Sequence, residues 1–192
     1  MEEKMKKIIK GRTFCDYLEK HDVHYEWCIK HKEVLGCDES SYYYEHYKYY
    51  IGDDYCICKN LLLQERKGEK RTFLVVVPSE KQVDLKGLKE QYKTSKLEFV
   101  KEEKMQKLLN TAPGNVSIFN LIYDKEKEVN LILDSDLFNS SLLAFHPLYN
   151  GMSLFLTGEN VFKFLNLCNR DYVVLDIPVK EDCDVKRKVI SA

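Results

Sequence analysis

Apolar positions along this chain follow two rhythms: short continuous runs, and stripes three to four residues apart. Phe73-Leu74-Val75-Val76-Val77 is the clearest run, and Pro78-Ser79 closes it. Such a run suits a strand covered on both faces, ended by a residue that cannot donate to a ladder. Residues 55–65 precede it across a turn at Lys67-Gly68-Glu69, which predicts two neighbouring strands. Further strands are expected at 24–29, 97–100, 117–123, 129–134, 142–145, 152–156 and 172–177, with 117–123 and 129–134 forming a hairpin around Lys125-Glu126-Lys127. Helical stripes occupy 12–22, 84–92, 101–109 and the stretch after Gly158-Glu159-Asn160 that carries Val161, Phe162, Phe164, Leu165 and Leu167. Asp38-Glu39-Ser40-Ser41 offers capping groups for a further helix through the tyrosine-rich 42–50, broken at Gly52-Asp53-Asp54. Hairpins interrupted by helices predict an α+β domain, not a regular βαβ repeat.

Length and composition narrow the picture. The 192 residues suit one domain, expected over 1–180, with the polar 181–192 as a terminus or the start of a linker. Thirty Lys and Arg stand against 31 Asp and Glu, so the basic excess of many nucleic-acid binders is absent, although a local patch stays open. No run of 18 apolar residues predicts a membrane span, and no apolar h-region follows the basic start. Seven cysteines at irregular spacing read as free thiols in a reducing compartment, so the expected location is cytoplasmic.

Lys59 is the chemical anomaly. It stands in Cys58-Lys59-Asn60-Leu61-Leu62-Leu63, inside an otherwise apolar strand, and alternation puts it with Leu61 and Leu63. A lysine there either snorkels to water or reaches a pocket that expects an anion. The Pro113-Gly114 turn can bring backbone amides close to a ligand oxygen, though most such turns are only turns. His146, at a strand end before Pro147, can line a cleft or be an ordinary hydrogen-bonded histidine. His21, His24, Cys28 and His31 lack the paired spacing of a structural zinc site, so no metal is expected. Cys56 and Cys58 share a strand face and read as buried thiols. The tyrosines of 42–50 could stack bases, but packing on the sheet is the simpler reading. Ser117, His146 and Asp134 could be drawn as a triad, but no Gly-x-Ser-x-Gly elbow supports one.

Taken in order, Cys58-Lys59-Asn60-Leu61-Leu62-Leu63, Val83-Asp84-Leu85-Lys86-Gly87-Leu88, Pro113-Gly114-Asn115-Val116-Ser117-Ile118-Phe119, Leu131-Ile132-Leu133-Asp134 and Phe145-His146-Pro147 resemble the YbaK/prolyl-tRNA-synthetase-associated editing family over roughly residues 12–177. The resemblance implies a mixed β-sheet or partly closed barrel surrounded by helices. It implies hydrolysis of the ester between a wrong amino acid and the terminal adenosine of tRNA, most of all alanyl-tRNA(Pro), without a cofactor. It implies the acceptor end of tRNA(Pro) as partner, with prolyl-tRNA synthetase in cis or in trans. By the same resemblance Lys59 engages the terminal phosphate and ribose and Gly114 supplies loop amides as the catalytic pair, while Asn60, Asn115, Ser117, Ile118 and His146 bind substrate. Ile118 stands where the family's loop usually has proline, and Cys58 where threonine is common. Neither change removes a charge or a proton carrier. Two alternatives remain: a deacylase for cysteinyl- or seryl-tRNA, and a non-catalytic tRNA-end-binding or regulatory domain of a prolyl-tRNA synthetase.

Overall fold

The apolar run at 73–77 lies at the centre of the molecule, in a strand whose seven residues are all buried. This computed structural model describes residues 2–34 and 37–180, with side chains described from residue 10 onward except at 35–41. The expected tail at 181–192 lies outside the described residues. Among the described residues eight strands form one mixed sheet: β1 (Trp27–Lys30), β2 (Tyr55–Glu65), β3 (Thr72–Pro78), β4 (Leu97–Phe99), β5 (Val129–Asp134), β6 (Leu142–Phe145), β7 (Met152–Leu156) and β8 (Tyr172–Leu175). Among the described residues five α-helices surround it: α1 (Glu2–Lys20), α2 (Cys37–Ile51), α3 (Leu85–Gln91), α4 (Glu102–Leu109) and α5 (Gly158–Leu167).

The strands lie in the order β1-β7-β6-β2-β3-β5-β8, and β4 pairs with β2 off that path. β2 runs antiparallel to β3 and parallel to β6, while β3–β5 and β5–β8 are parallel. β1 and β8 end the order as edges, so the sheet is mixed and open, not a closed barrel. Period-two alternation sorts β3 between two cores. Leu74 and Val76 face Phe14, Leu18, Leu109, Phe119 and Phe164 on the side of α1, α4 and α5. Phe73, Val75 and Val77 face Leu88 of α3 with Leu63 and Ile132. α2 covers a third cluster, laying Tyr44 and Ile51 over Ile29, Ala144 and Phe155. Each such side chain contributes roughly 1.5–3 kcal/mol when fully buried.

Four expectations are corrected. Residues 117–123 are not a strand: Ile118–Tyr123 is a 3-10 helix, and β5 pairs in parallel with β3 and β8 instead of closing a hairpin. The Ser117 hydroxyl accepts from the Phe119 N–H, and Asn120 Oδ1 accepts from the Ser117 N–H. That reciprocal cap satisfies helix-start donors. A short apolar run by itself does not separate a strand from a buried helical turn. The first helix begins at Glu2, well before 12, and β1 begins at Trp27, later than expected.

Candidate active site

The site exists because β2 changes partner along one edge. It pairs with β6 at 55–57 and with β4 at 63–65, so at 58–62 neither strand covers that edge. A cavity of about 330 Å³ opens at the gap. Lys59 and Asn60 line it from β2, Gly114 from the loop after α4, and His146 from the end of β6.

Lys59 makes no salt bridge with an acidic side chain among the described residues. Its Nζ donates to the carbonyl oxygens of Ser79 and Lys81, each at 2.8 Å. Those carbonyls lie in the loop beyond β3, where Ser79 and Lys81 line a second recess, and they leave the lysine head one N–H to spare.

Three residues lining the same cavity each carry a buried acceptor without a partner among the described residues. His146 Nε2 lies 3.1 Å from the Val116 carbonyl oxygen, which can only accept, so Nε2 carries the ring proton and Nδ1 is a bare acceptor. Burial pushes the His146 imidazole down to about 4, so the ring is neutral. Asn150 donates its amide to the Val34 carbonyl oxygen at 2.8 Å, which turns Oδ1 the other way. His146 Nδ1, Asn150 Oδ1 and Asn60 Oδ1 are all buried and unpartnered. Leaving such atoms unpaired costs about 1–3 kcal/mol each, and a ligand donor would recover it.

The loop at 111–116 is fixed at both ends. The Asn115 N–H donates to the Ala112 carbonyl oxygen, and the Thr111 hydroxyl to the Asn115 carbonyl oxygen. Gly114 has φ +81°, a left-handed conformation that glycine adopts without strain. Three expected contacts are not at the cavity wall. Asn115 serves the loop turn, Ser117 caps the 3-10 helix, and Ile118 is fully buried in the core. Ser117, His146 and Asp134 form no triad, since Asp134 is ion-paired with Lys81 Nζ at 2.8 Å. Lys81 also meets Asp136 and Asp176, so an ammonium already occupies the carboxylate cluster these residues make.

His31, Tyr44, Asn150 and Ser153 line the cavity and were not singled out as a set by the sequence. Ser153 was the available signal: a hydroxyl inside Met152-Ser153-Leu154-Phe155-Leu156, every residue of which is buried. His21 meets the Tyr17 ring at a tilt, with centroids 4.6 Å apart, while His31 lines the cavity, so the histidines of this stretch have different neighbours. Cys56 and Cys58 are buried thiols in no disulfide.

An open mixed sheet with a lysine, a tight glycine turn and buried acceptors around one cavity defines a small-ligand site of largely preformed shape. A family profile described as the aminoacyl-tRNA editing domain matches residues 48–164, and the chain belongs to that family. It is 32% identical over 121 residues to the prolyl-tRNA editing protein ProX of Acetoanaerobium sticklandii, covering 63% of this chain and 73% of that one. It is 27% identical over 150 residues to prolyl-tRNA synthetase associated domain-containing protein 1 of Danio rerio, covering 77% of each. A solved structure of a candidate trans-editing enzyme for prolyl tRNA synthetase superposes with a TM-score of 0.63 at 16% identity, over 89% of this chain and 98% of that one, and shows the shared fold. No described helix is long and apolar enough to cross a membrane.

Proposed function

We propose that this chain is an aminoacyl-tRNA deacylase that hydrolyses mischarged tRNA(Pro), with alanyl-tRNA(Pro) as its preferred substrate. One observation carries the reading: three residues with an unpaired buried acceptor, His146 at Nδ1, Asn150 at Oδ1 and Asn60 at Oδ1, line one cavity together with Lys59. Acceptors of this kind match the primary ammonium of an aminoacyl ester, which has three N–H groups. The remaining Lys59 N–H matches the phosphate or ribose of the terminal adenosine. A prolyl ester offers a secondary ammonium with two N–H groups and a bulky ring. It leaves an acceptor unpaired and crowds the wall, so both chemistry and size disfavour it.

An aminoacyl ester is already activated, so placing a water against the carbonyl and stabilising the oxyanion supply much of the rate. Gly114 and its loop amides take the oxyanion. Names of similar proteins that refer to prolyl-tRNA editing or to a synthetase-associated domain support tRNA(Pro) as the substrate and prolyl-tRNA synthetase as a partner in cis or in trans. The editing unit is taken as residues 1–180, working in the cytoplasm without a cofactor.

The test is a deacylation panel of alanyl-, cysteinyl-, seryl- and prolyl-tRNA(Pro). Alanyl-tRNA(Pro) should turn over fastest and prolyl-tRNA(Pro) least. Faster loss of the cysteinyl or seryl ester would move the substrate to that residue. Binding of tRNA without turnover of any ester would leave a non-catalytic tRNA-end binder.

A further inference from the structure

A hydroxyl–imidazole chain forms one wall of the cavity. His31 Nδ1 lies 2.7 Å from the Lys32 carbonyl oxygen, and His31 Nε2 lies 2.9 Å from Ser153 Oγ. Tyr44 Oη lies 2.6 Å from the same Oγ. The roles follow by elimination. A carbonyl only accepts, so Nδ1 carries the ring proton and Nε2 of the neutral ring is an acceptor. Ser153 therefore donates to Nε2, and Tyr44 donates to Ser153. Burial lowers the His31 pKa below its usual 6.5, which favours the neutral ring near physiological pH. Ser153 keeps one oxygen lone pair, and its side chain lines the cavity.

We propose that His31 is the proton acceptor of the hydrolysis, reached from the attacking water through the Ser153 hydroxyl. This rests on the deacylase reading and supplies its base. The water donates to the spare lone pair of Ser153 Oγ. As the water oxygen bonds to the ester carbonyl carbon, its proton passes to Ser153 and the Ser153 proton passes to His31 Nε2. The tetrahedral intermediate then carries the negative charge and the imidazolium the positive one. When the ester C–O bond breaks, the ribose oxygen takes a proton back through Ser153 and neutral His31 returns. Water and ester give amino acid and tRNA, with no further reactant.

The surroundings favour His31 over the second imidazole of the cavity. Tyr43 stacks on His31 at 5.2 Å and Tyr44 meets it edge-on at 6.4 Å, both from α2. β7 contributes uncharged Ser153. Lys30, Lys32 and Glu33 are the charged neighbours on its own segment, and Lys59 is the charged side chain lining the cavity with it. His146 lies near enough for a charge on His31 to depress it further, and at about 4 it is too weak a base to serve.

The test compares wild type, His31→Gln and Ser153→Ala in single-turnover deacylation of alanyl-tRNA(Pro) between about pH 5 and 8. Glutamine can accept from Ser153 but cannot take its proton. The wild-type rate should rise with pH and level off once His31 is neutral. Each variant should lose on the order of 10²-fold in rate, with a flattened profile and unchanged tRNA affinity. A wild-type rate and profile in either variant overturns the relay. An acyl adduct on Ser153, caught by acid quench and mass spectrometry, overturns it in favour of a nucleophilic serine. A wild type inert towards the whole panel counts against the deacylase reading instead. The relay is then read by nitrogen NMR of His31, which should show the Nδ1–H tautomer and a titration that moves up in Ser153→Ala. A proton on Nε2 in the neutral ring overturns it.

Discussion

Lys59 Nζ lies 2.8 Å from the carbonyl oxygen of Ser79, a residue that β3 delivers just past its end. The strand pair β2–β3 therefore aims the lysine head as well as building the core. A second carbonyl, that of Lys81, leaves a single N–H for a ligand. Lys59→Ala should reduce single-turnover deacylation by on the order of 10²–10³ with little change in melting temperature. Lys59→Arg should not restore the rate, because a planar fork does not fit a socket built for a point charge. Rates and thermal melts of the purified variants check both statements.

His146 should make the fold acid-sensitive in a defined window. Its pKa falls from 6.5 when free to about 4 in the folded chain. Between those values the unfolded state binds more protons, so stability is complete above 6.5 and is lost as pH falls towards 4. The shift corresponds to at most about 3 kcal/mol. Denaturant midpoints across this range should show the loss, and His146→Gln should flatten it.

If the acceptors read an ammonium, blocking the amine should matter more than changing the side chain. N-acetyl-alanyl-tRNA(Pro) should be hydrolysed at least about 10-fold more slowly than alanyl-tRNA(Pro), the equivalent of one lost buried hydrogen bond of roughly 1.4 kcal/mol. Asn150→Leu should erase much of that difference. Equal rates for both substrates in the wild type would remove the ammonium from the recognition.

At Gly114 an added Cβ meets nothing within 4 Å, so Gly114→Ala tests backbone conformation alone. A left-handed non-glycine residue costs about 1–2 kcal/mol. The expected outcome is a melting temperature lower by a few degrees and a larger proportional loss of turnover, because the turn presents the amides.

Arg170 and Asp124 should be a purely structural pair. Their side chains are 3% and 2% exposed, with Arg170 Nη1 3.1 Å from Asp124 Oδ2. Arg170 also donates to the carbonyl oxygens of Val129 and Asp124. Arg170→Met strands a buried carboxylate and should cost about 3–5 kcal/mol, read by chemical denaturation.

The legible parts of this chain were those with a strong period or a charge out of place. The run at 73–77, with three valines and a closing proline, suited an inner strand, and Lys59 announced itself by standing among leucines. The 3-10 helix at 118–123 was hidden because Ile118, Phe119 and Leu121 are apolar without alternation, while the deciding Ser117–Asn120 cap is two polar residues with many other uses. The same cap removed Ser117 from the cavity. His31 follows β1 directly, Tyr44 and Ser153 come from α2 and β7, and only the sheet order sets them side by side. No local pattern carries a contact between residues more than a hundred positions apart.

The change of partner along β2 gives the cavity an unusual kind of independence. Its floor belongs to a strand locked in register on its other edge by β3, from Cys58 against Pro78 to Gln64 against Thr72. Its two rims are the stumps of β4 and β6, where Phe99 and His146 stand, and neither strand extends across the gap. Substitution at a rim can therefore reshape what the recess accepts while the frame that positions Lys59 stays the same. Substrate range and the β2–β3 register can therefore change separately in this chain.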